Sequence, residues 1–458
     1  MITNKVTRRR YQVIEFGGGV SGTSGVRQLI HYTNIRDILL LEKYGWVAQM
    51  NSHPLNNAQT GHRGEKETNY PLKEALEVRR ASGIMYQYVD DKNDSNLSQK
   101  IISEVLGVGR EEIEMLQSRH AEFGPYYPEL ELIYWKDIEK LEQNLTKGRS
   151  PKEDICALIS EGRMINYQRL SEHLFEEARA ANLDFDYSFN TAVIKVSREK
   201  GYYVVETTAG TFEAEIIIFN TGSYSLFFAR ELGYGLNLAL CPVAGDFFST
   251  GHWVNSKVYR PQKKGRPFAE LHIDPDILNP KVNRIGPTTL FMPLMERHHY
   301  ETFGDFMHLP LLTSARGVAT LANIVHTRGL KWYGLRNALY RVPIAGKELF
   351  VIEFKKTIPT IQARDLEYRK GSGGIRPQVV NLDTMDFAIG DASIVGRDNG
   401  DKIIANTTPS PGATKAMDNG IRDARQIVKF AGHGYYFDEK KFREEHRNIL
   451  HLINGVAA

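Results

Sequence analysis

The chain has 458 residues, 41% hydrophobic and 25% charged, which is the balance of a globular protein and excludes wholesale disorder. Its net charge of +3 excludes a general polyanion binder, and no apolar run reaches the roughly 18 residues of a transmembrane helix. Arg8-Arg9-Arg10 precedes an apolar segment that is short and broken by Glu15, so a secretory signal is not expected and a cytoplasmic location is. Two cysteines, Cys156 and Cys241, support neither a disulfide framework nor a zinc site, and no metal is expected.

Residues 11–16 predict a short strand, followed by Gly17-Gly18-Gly19-Val20-Ser21-Gly22 and a helix from about residue 23 to residue 32. Residues 38–41 (Ile-Leu-Leu-Leu) predict a second buried strand, closed by Glu42. In such a β-loop-α-β unit Gly17 permits the tight turn, Gly19 admits a pyrophosphate and Gly22 lets helix and strand pack closely. The helix N-terminus attracts the phosphates, and Glu42 is spaced to accept hydrogen bonds from ribose hydroxyls. Glu15 is the discordant residue, a carboxylate in a strand expected to be buried on both faces.

Further along, residues 97–106 and 111–123 read as helical and charged, and 168–181 as a helix. Hairpin-like segments at 191–196 and 202–206 lead to the apolar strand 216–219, which ends in Asn220-Thr221-Gly222. Residues 246–249 and 271–273 predict strands. Residues 306–347 contain no Asp or Glu but hold Arg316, Arg328, Lys331, Arg336, Arg341 and Lys347 among Leu, Trp and Tyr, a composition suited to an anionic membrane surface as well as to packed helices. Residues 406–414 (Asn-Thr-Thr-Pro-Ser-Pro-Gly-Ala-Thr) precede an amphipathic helical pattern, and a polar terminal helix is expected over 436–458. The first glycine motif does not separate NAD from FAD. The Thr221-Gly222 strand ending and a helix N-terminus at 411–414, placed to face a flavin edge, favour FAD.

These motifs, in this order, resemble the FAD-dependent malate:quinone oxidoreductases within the D-amino-acid-oxidase-like flavoproteins. The resemblance rests on the segments 17–22, 41–44, 51–52, 56–62, 67–70, 242–245, 272–276, 286–288, 373–378 and 410–414. Ala58, Gly61 and Asn166 depart from the family's usual residues. The resemblance implies an α/β fold: a discontinuous, glutathione-reductase-type Rossmann-like FAD domain (1–88, 152–240 and 372–435) and an α+β substrate domain on a mixed or antiparallel sheet (89–151 and 241–371). It implies FAD contacts at Gly17, Gly19, Val20, Ser21, Gly22, Glu42 and Lys43. Further contacts are implied at Gln59, Thr60, Val193, Thr221, Gly222, Gly390, Asp391, Pro411, Gly412, Ala413 and Thr414.

The implied activity is oxidation of (S)-malate to oxaloacetate with a membrane quinone as electron acceptor, which would place the chain on the inner face of the cell membrane. Oxidising a 2-hydroxy acid needs a hydride acceptor, a base for the hydroxyl proton and cations for the carboxylates. Arg376 is the expected carboxylate clamp. His272 and His62 are the two candidate bases among fourteen histidines. Gln59, His62 and Arg284 are expected to contact substrate, with Lys66, Arg63 and Arg284 as alternatives for its second carboxylate. The competing readings are oxidation of another 2-hydroxy acid such as L-2-hydroxyglutarate, a nicotinamide-dependent dehydrogenase, and a non-catalytic flavin-binding protein.

Overall fold

A computed structural model describes residues 9–262, 270–388, 392–396 and 400–454. Gly390 and Asp391 lie outside these residues. Among the described residues the strands form two sheets.

The first sheet has a parallel centre. The strand Arg10–Phe16 lies between Ile38–Leu41 and Gly210–Phe219, with Ile403–Thr407 and Phe185–Ser188 further out. All four residues of Ile38–Leu41 are buried, as a parallel strand covered on both faces requires. One face packs on the helices Val20–Tyr32, Tyr167–Ala181 and Gly412–Ala431 through Val13, Leu29, Leu40, Phe175, Ile218 and Ile427. Each such buried side chain contributes about 1.5–3 kcal/mol.

Glu15 finds its explanation here. Its Oε1 accepts a hydrogen bond of 2.8 Å from Asn220 Nδ2, at the end of the neighbouring strand. Burial raises its pKa well above the ordinary carboxylate value, so it is held as the neutral acid. Asn220 in turn accepts from Asn406 Nδ2 at 3.1 Å, and Asn406 donates to Asp423 Oδ2 at 2.6 Å. A continuous buried polar chain thus ties three strands to the helix Gly412–Ala431.

The second sheet is mostly antiparallel. The long strand Leu238–Gly251 sits between Asn279–Phe291 and Gly374–Asn381, and His272–Asp276 pairs with the outer side of Asn279–Phe291. Register sets Arg376 opposite Val243, His272 opposite Gly286 and Asp274 opposite Arg284.

Three expectations change. Residues 97–106 are not helical: Ser98–Val108 is a strand paired along its whole length with Ile155–Ile165. Its apolar spacing of 101, 102, 105 and 106 imitates a helix, but the β-branched residues are satisfied by burial between sheet and helices. Ile155–Ile165 and Gly374–Asn381, expected in the dinucleotide domain, belong to the second sheet. The polar terminal segment forms separate pieces, Glu439–Glu445, Arg447–Ile449 and Leu450–Asn454, rather than one helix.

The 306–347 region forms the helices Phe303–Met307, Pro310–Thr313, Ala315–Thr327 and Leu330–Leu339, followed by Ala345–Phe354. No helix among the described residues is long and apolar enough to cross a membrane.

Candidate active site

Two cavities lie where the sheets meet. The first, about 430 Å³, is lined by Phe16, Gly17, Gly19, Val20, Ser21, Glu42, Lys43, Val193, Thr221 and Gly222. The second, about 700 Å³, is lined by Gln59, Thr60, His62, His272, Arg376 and Pro411 to Thr414. Asn51, Pro377, Thr408 and Ala413 border both, so the two form one elongated space. It joins the glycine turn to the N-terminus of Gly412–Ala431.

The glycine turn is shaped for an extended dinucleotide. Gly17 has φ +98°, and its N–H donates to Leu41 O at 2.8 Å. A Cβ on Gly22 would lie 1.8 Å from Gly17 O, so only glycine lets the helix start this close to the turn. Ser52 Oγ accepts from Val20 N at 3.0 Å and fixes the helix end. Glu42 accepts from Gly18 N at 2.6 Å and Tyr44 N at 2.8 Å. Burial raises its pKa above the usual value while these two donors oppose the shift. Its remaining lone pairs line the cavity and suit ribose hydroxyls. Lys43 reaches the loop that follows Asn279–Phe291, with Nζ 2.6 Å from Glu296 Oε2, which also accepts from Tyr44 OH at 2.8 Å. Tyr44, Glu296, Tyr224 and Asp305 line this end but carry no sequence motif. The turn that only glycine permits, the acid at the ribose position and the elongated space all fit FAD.

In the second cavity Arg376 stands on the strand Gly374–Asn381. Asn51 pins the strand just before it, donating to Ile375 O at 2.9 Å and accepting from Ile375 N at 3.1 Å. Arg376 is half-buried and its open side meets the cavity. Burial lowers its pKa, and its electrostatic neighbours are the phenols of Tyr333 and Tyr70. Among the described residues no carboxylate pairs with it. The other arginines here are committed, Arg260 to Glu112 and Arg328 to Asp386. Arg376 is therefore a half-buried cation, open to the cavity and without an acid partner among the described residues.

His272 and His62 both line this cavity. His272 is buried, with Nδ1 2.7 Å from Asp274 Oδ2 and its ring 5.1 Å from that of Tyr259. Burial, with the charges of Lys257 and Arg376 on the same side, lowers its pKa against the opposing pull of Asp274 and favours the neutral imidazole. His62 Nδ1 is paired with Glu67 Oε1, and its backbone N–H donates to Thr414 Oγ1 at 3.2 Å. Asp274 and Glu67 orient these rings, and sequence reasoning had assigned neither a role. The His-x-Asp spacing on a strand, which puts both side chains on one face, was the available signal for Asp274.

Other expected contact residues are bonded within the scaffold as well. The Gln59 amide donates to Pro54 O and Asp276 Oδ1, both at 3.1 Å, and accepts from Ile277 N at 2.9 Å. Arg284 is fully buried and donates to Pro54 O at 3.2 Å and Asn57 O at 2.8 Å, away from the lining of either cavity. Its Nη1 braces the 54–59 segment. Lys66 borders the cavity but pairs with Glu65 at 3.2 Å, and Arg63 pairs with Glu129.

The departures from the family pattern are accommodated. A Cβ on Gly61 would lie 2.7 Å from the Tyr86 ring, whose hydroxyl donates to Gly61 O at 2.8 Å. Asn166 caps the helix Tyr167–Ala181 by accepting from Arg169 N at 3.1 Å.

Comparisons agree with this architecture. Solved structures with similar folds include L-α-glycerophosphate oxidase from Mycoplasma pneumoniae with FAD bound (TM-score 0.64, 18% identity, covering 92% of this chain and 95% of that one). Glycine oxidase from Geobacillus kaustophilus gives a TM-score of 0.63 at 15% identity, with 92% and 95% coverage. In sequence, a probable malate:quinone oxidoreductase from Campylobacter jejuni is 32% identical, covering 96% of this chain and 100% of that protein. The malate:quinone oxidoreductase of Helicobacter pylori is also 32% identical, covering 93% and 96%. The malate:quinone oxidoreductase family profile matches residues 9–422. The chain belongs to the malate:quinone oxidoreductase family.

Proposed function

We propose that this protein oxidises (S)-malate to oxaloacetate and passes the electrons to a membrane quinone. The observation that carries this reading is Arg376, a cation enclosed beside two carboxylate-paired histidines and lacking an acid partner among the described residues. FAD, when bound, supplies the two-electron acceptor for the hydride from C2.

Arg376 holds the substrate carboxylate next to C2 through its planar fork. His272 is the base. Its neutral ring faces the cavity, and Asp274 steadies the imidazolium that forms as it takes the hydroxyl proton. His62, held by Glu67, borders the same space and orients the remaining polar end of the substrate. Gly17, Gly19, Ser21, Glu42, Lys43, Thr221 and the 411–414 helix start hold the dinucleotide.

Membrane contact is assigned to the helical region 306–347 and the segment after it. Trp332 (79% exposed), Ile344 (89%) and Ile352 (70%) stand in solvent with Val318, Leu335, Leu339 and Val342. Most of the nearby cations are engaged: Arg316 with Asp383, Arg328 with Asp386, Arg336 with Glu353, and Arg341 with Asp246. Lys347 donates to Leu366 O. The contact is therefore mainly apolar, with Lys331 as its chief uncommitted cation, and salt weakens it little.

The test is reconstitution. Purified protein with FAD and quinone-containing vesicles should reduce quinone on adding (S)-malate and ignore NAD. Turnover with L-2-hydroxyglutarate but not malate would replace the substrate. No turnover with either would reject the reading.

A further inference from the structure

A lysine stands behind the histidine–aspartate pair with no part in the chemistry described so far. Lys257 is 1% exposed. Its Nζ donates to Thr60 Oγ1 at 2.9 Å and Ala58 O at 3.0 Å, and lies 3.5 Å from Asp274 Oδ1. Asp274, fully buried, therefore has His272 Nδ1 at 2.7 Å on one oxygen and Lys257 on the other. Nδ1 and both Asp274 oxygens are buried and are held together by charge at 2.7 Å rather than by an aligned hydrogen bond, while the His272 ring borders the cavity.

We infer that Lys257 is a positioning residue for the reaction: it balances the charge of Asp274, so that His272 meets the substrate as a neutral imidazole with Nδ1–H toward Asp274 and the Nε2 lone pair toward the cavity.

A buried carboxylate must be neutralised by a nearby cation or by a proton. If Lys257 is absent, the nearest group able to supply positive charge to Asp274 is His272 itself, by taking up a proton. An imidazolium cannot accept the substrate's hydroxyl proton, so the base would be lost until a higher pH. Arg284, across the strand pair, also acts on Asp274, but less than Lys257 does: its Nη1 is committed to Pro54 O and Asn57 O, and its first interaction is with Asp276. Asp276 is also held by Arg369 at 2.6 Å and by Gln59 at 3.1 Å. Arg376 opens into the cavity for substrate, and Tyr259 packs its ring on His272. Burial pulls the Lys257 pKa down to about 8, and Asp274 opposes that fall, which keeps it a cation at neutral pH. Its two remaining donors tie this charge to the 58–60 segment of the cavity wall.

This inference rests on His272 being the base, and the experiment separates the two. FAD-loaded wild type, His272→Ala, Lys257→Met and Lys257→Arg are compared for the pH dependence of kcat with malate. Lys257→Met should move the acidic limb of the profile to higher pH by at least about one unit, a tenfold or greater loss below the limb. Lys257→Arg should restore the wild-type limb. If His272→Ala keeps its kcat, the base assignment fails. If His272→Ala is inactive while Lys257→Met leaves the limb in place, the inference about Lys257 alone is overturned. Should Lys257→Met not fold, nitrogen NMR of histidine-labelled wild-type holoenzyme decides, with His272→Gln assigning the signal. A neutral Nδ1–H ring at neutral pH supports the inference, and a doubly protonated ring there overturns it.

Discussion

Replacing Arg376 by methionine should separate function from folding. The guanidinium can give a substrate carboxylate two parallel charge-assisted hydrogen bonds, each contributing about 1.5–3 kcal/mol. Their loss predicts kcat/KM lower by about 3–6 kcal/mol, or roughly 10²- to 10⁴-fold, carried mainly by KM. Stability should respond in the opposite sense. Wild type encloses this cation with no acid partner among the described residues, and burial works against its charged form. Methionine has similar length and needs no solvation, so Tm should hold or rise. Arg297→Met is the contrasting control. Arg297 is buried and donates to Asp246 at 2.9–3.0 Å through Nε and Nη2, so its removal should lower Tm. Steady-state kinetics and thermal unfolding of both FAD-loaded variants make the comparison. An Arg376→Met protein that is destabilised like Arg297→Met, yet keeps its kcat/KM, would refute the clamp.

Gly22→Ala should fold with a displaced glycine turn and purify with little bound flavin, because the new Cβ would lie 1.8 Å from Gly17 O; absorbance after purification checks this. Glu15→Gln addresses pH. The folded chain keeps a proton on Glu15 that the unfolded chain releases above about 4.5, so wild-type stability falls as pH rises from there to the raised folded value and is flat beyond it. Glutamine removes that fall, and the Tm advantage of Glu15→Gln should grow from acidic to neutral pH. Trp332→Glu combined with Ile344→Glu should cut vesicle binding by at least about tenfold per residue, from about 1.5 kcal/mol or more of lost apolar burial each. Flotation at low and high salt measures it, and binding of the wild type that high salt abolishes would contradict an apolar contact.

The dinucleotide half was legible because its signals are local. Gly17, Gly22 and Glu42 act through backbone sterics and fixed spacing, and the structure places Gly17 and Glu42 on one cavity with Gly22 packed against Gly17 O. Arg376, His272 and His62 were legible as residues, but their convergence depends on strand register that the sequence does not encode locally. Arg284 shows the limit: its Nη1 donates to the carbonyls of Pro54 and Asn57, and no local sequence signal announces that bracing contact. Glu15 appeared anomalous because its partner, Asn220, lies more than two hundred residues away. The helical reading of 97–106 failed because apolar positions three and four apart also suit a strand buried on both faces. The basic character of 306–347 was visible, but the acids that pair with its cations come from 246, 353, 383 and 386, outside the segment.

In the proposed reading, one elongated space holds FAD with its reactive end beside Arg376 and His272. Anaerobic mixing of the FAD-loaded protein with (S)-malate tests it most directly, by following the visible flavin absorbance. Wild type should bleach rapidly, saturably in malate, and His272→Ala should not. A flavin that is bound but stays oxidised in wild type, or bleaches equally fast without His272, would contradict it.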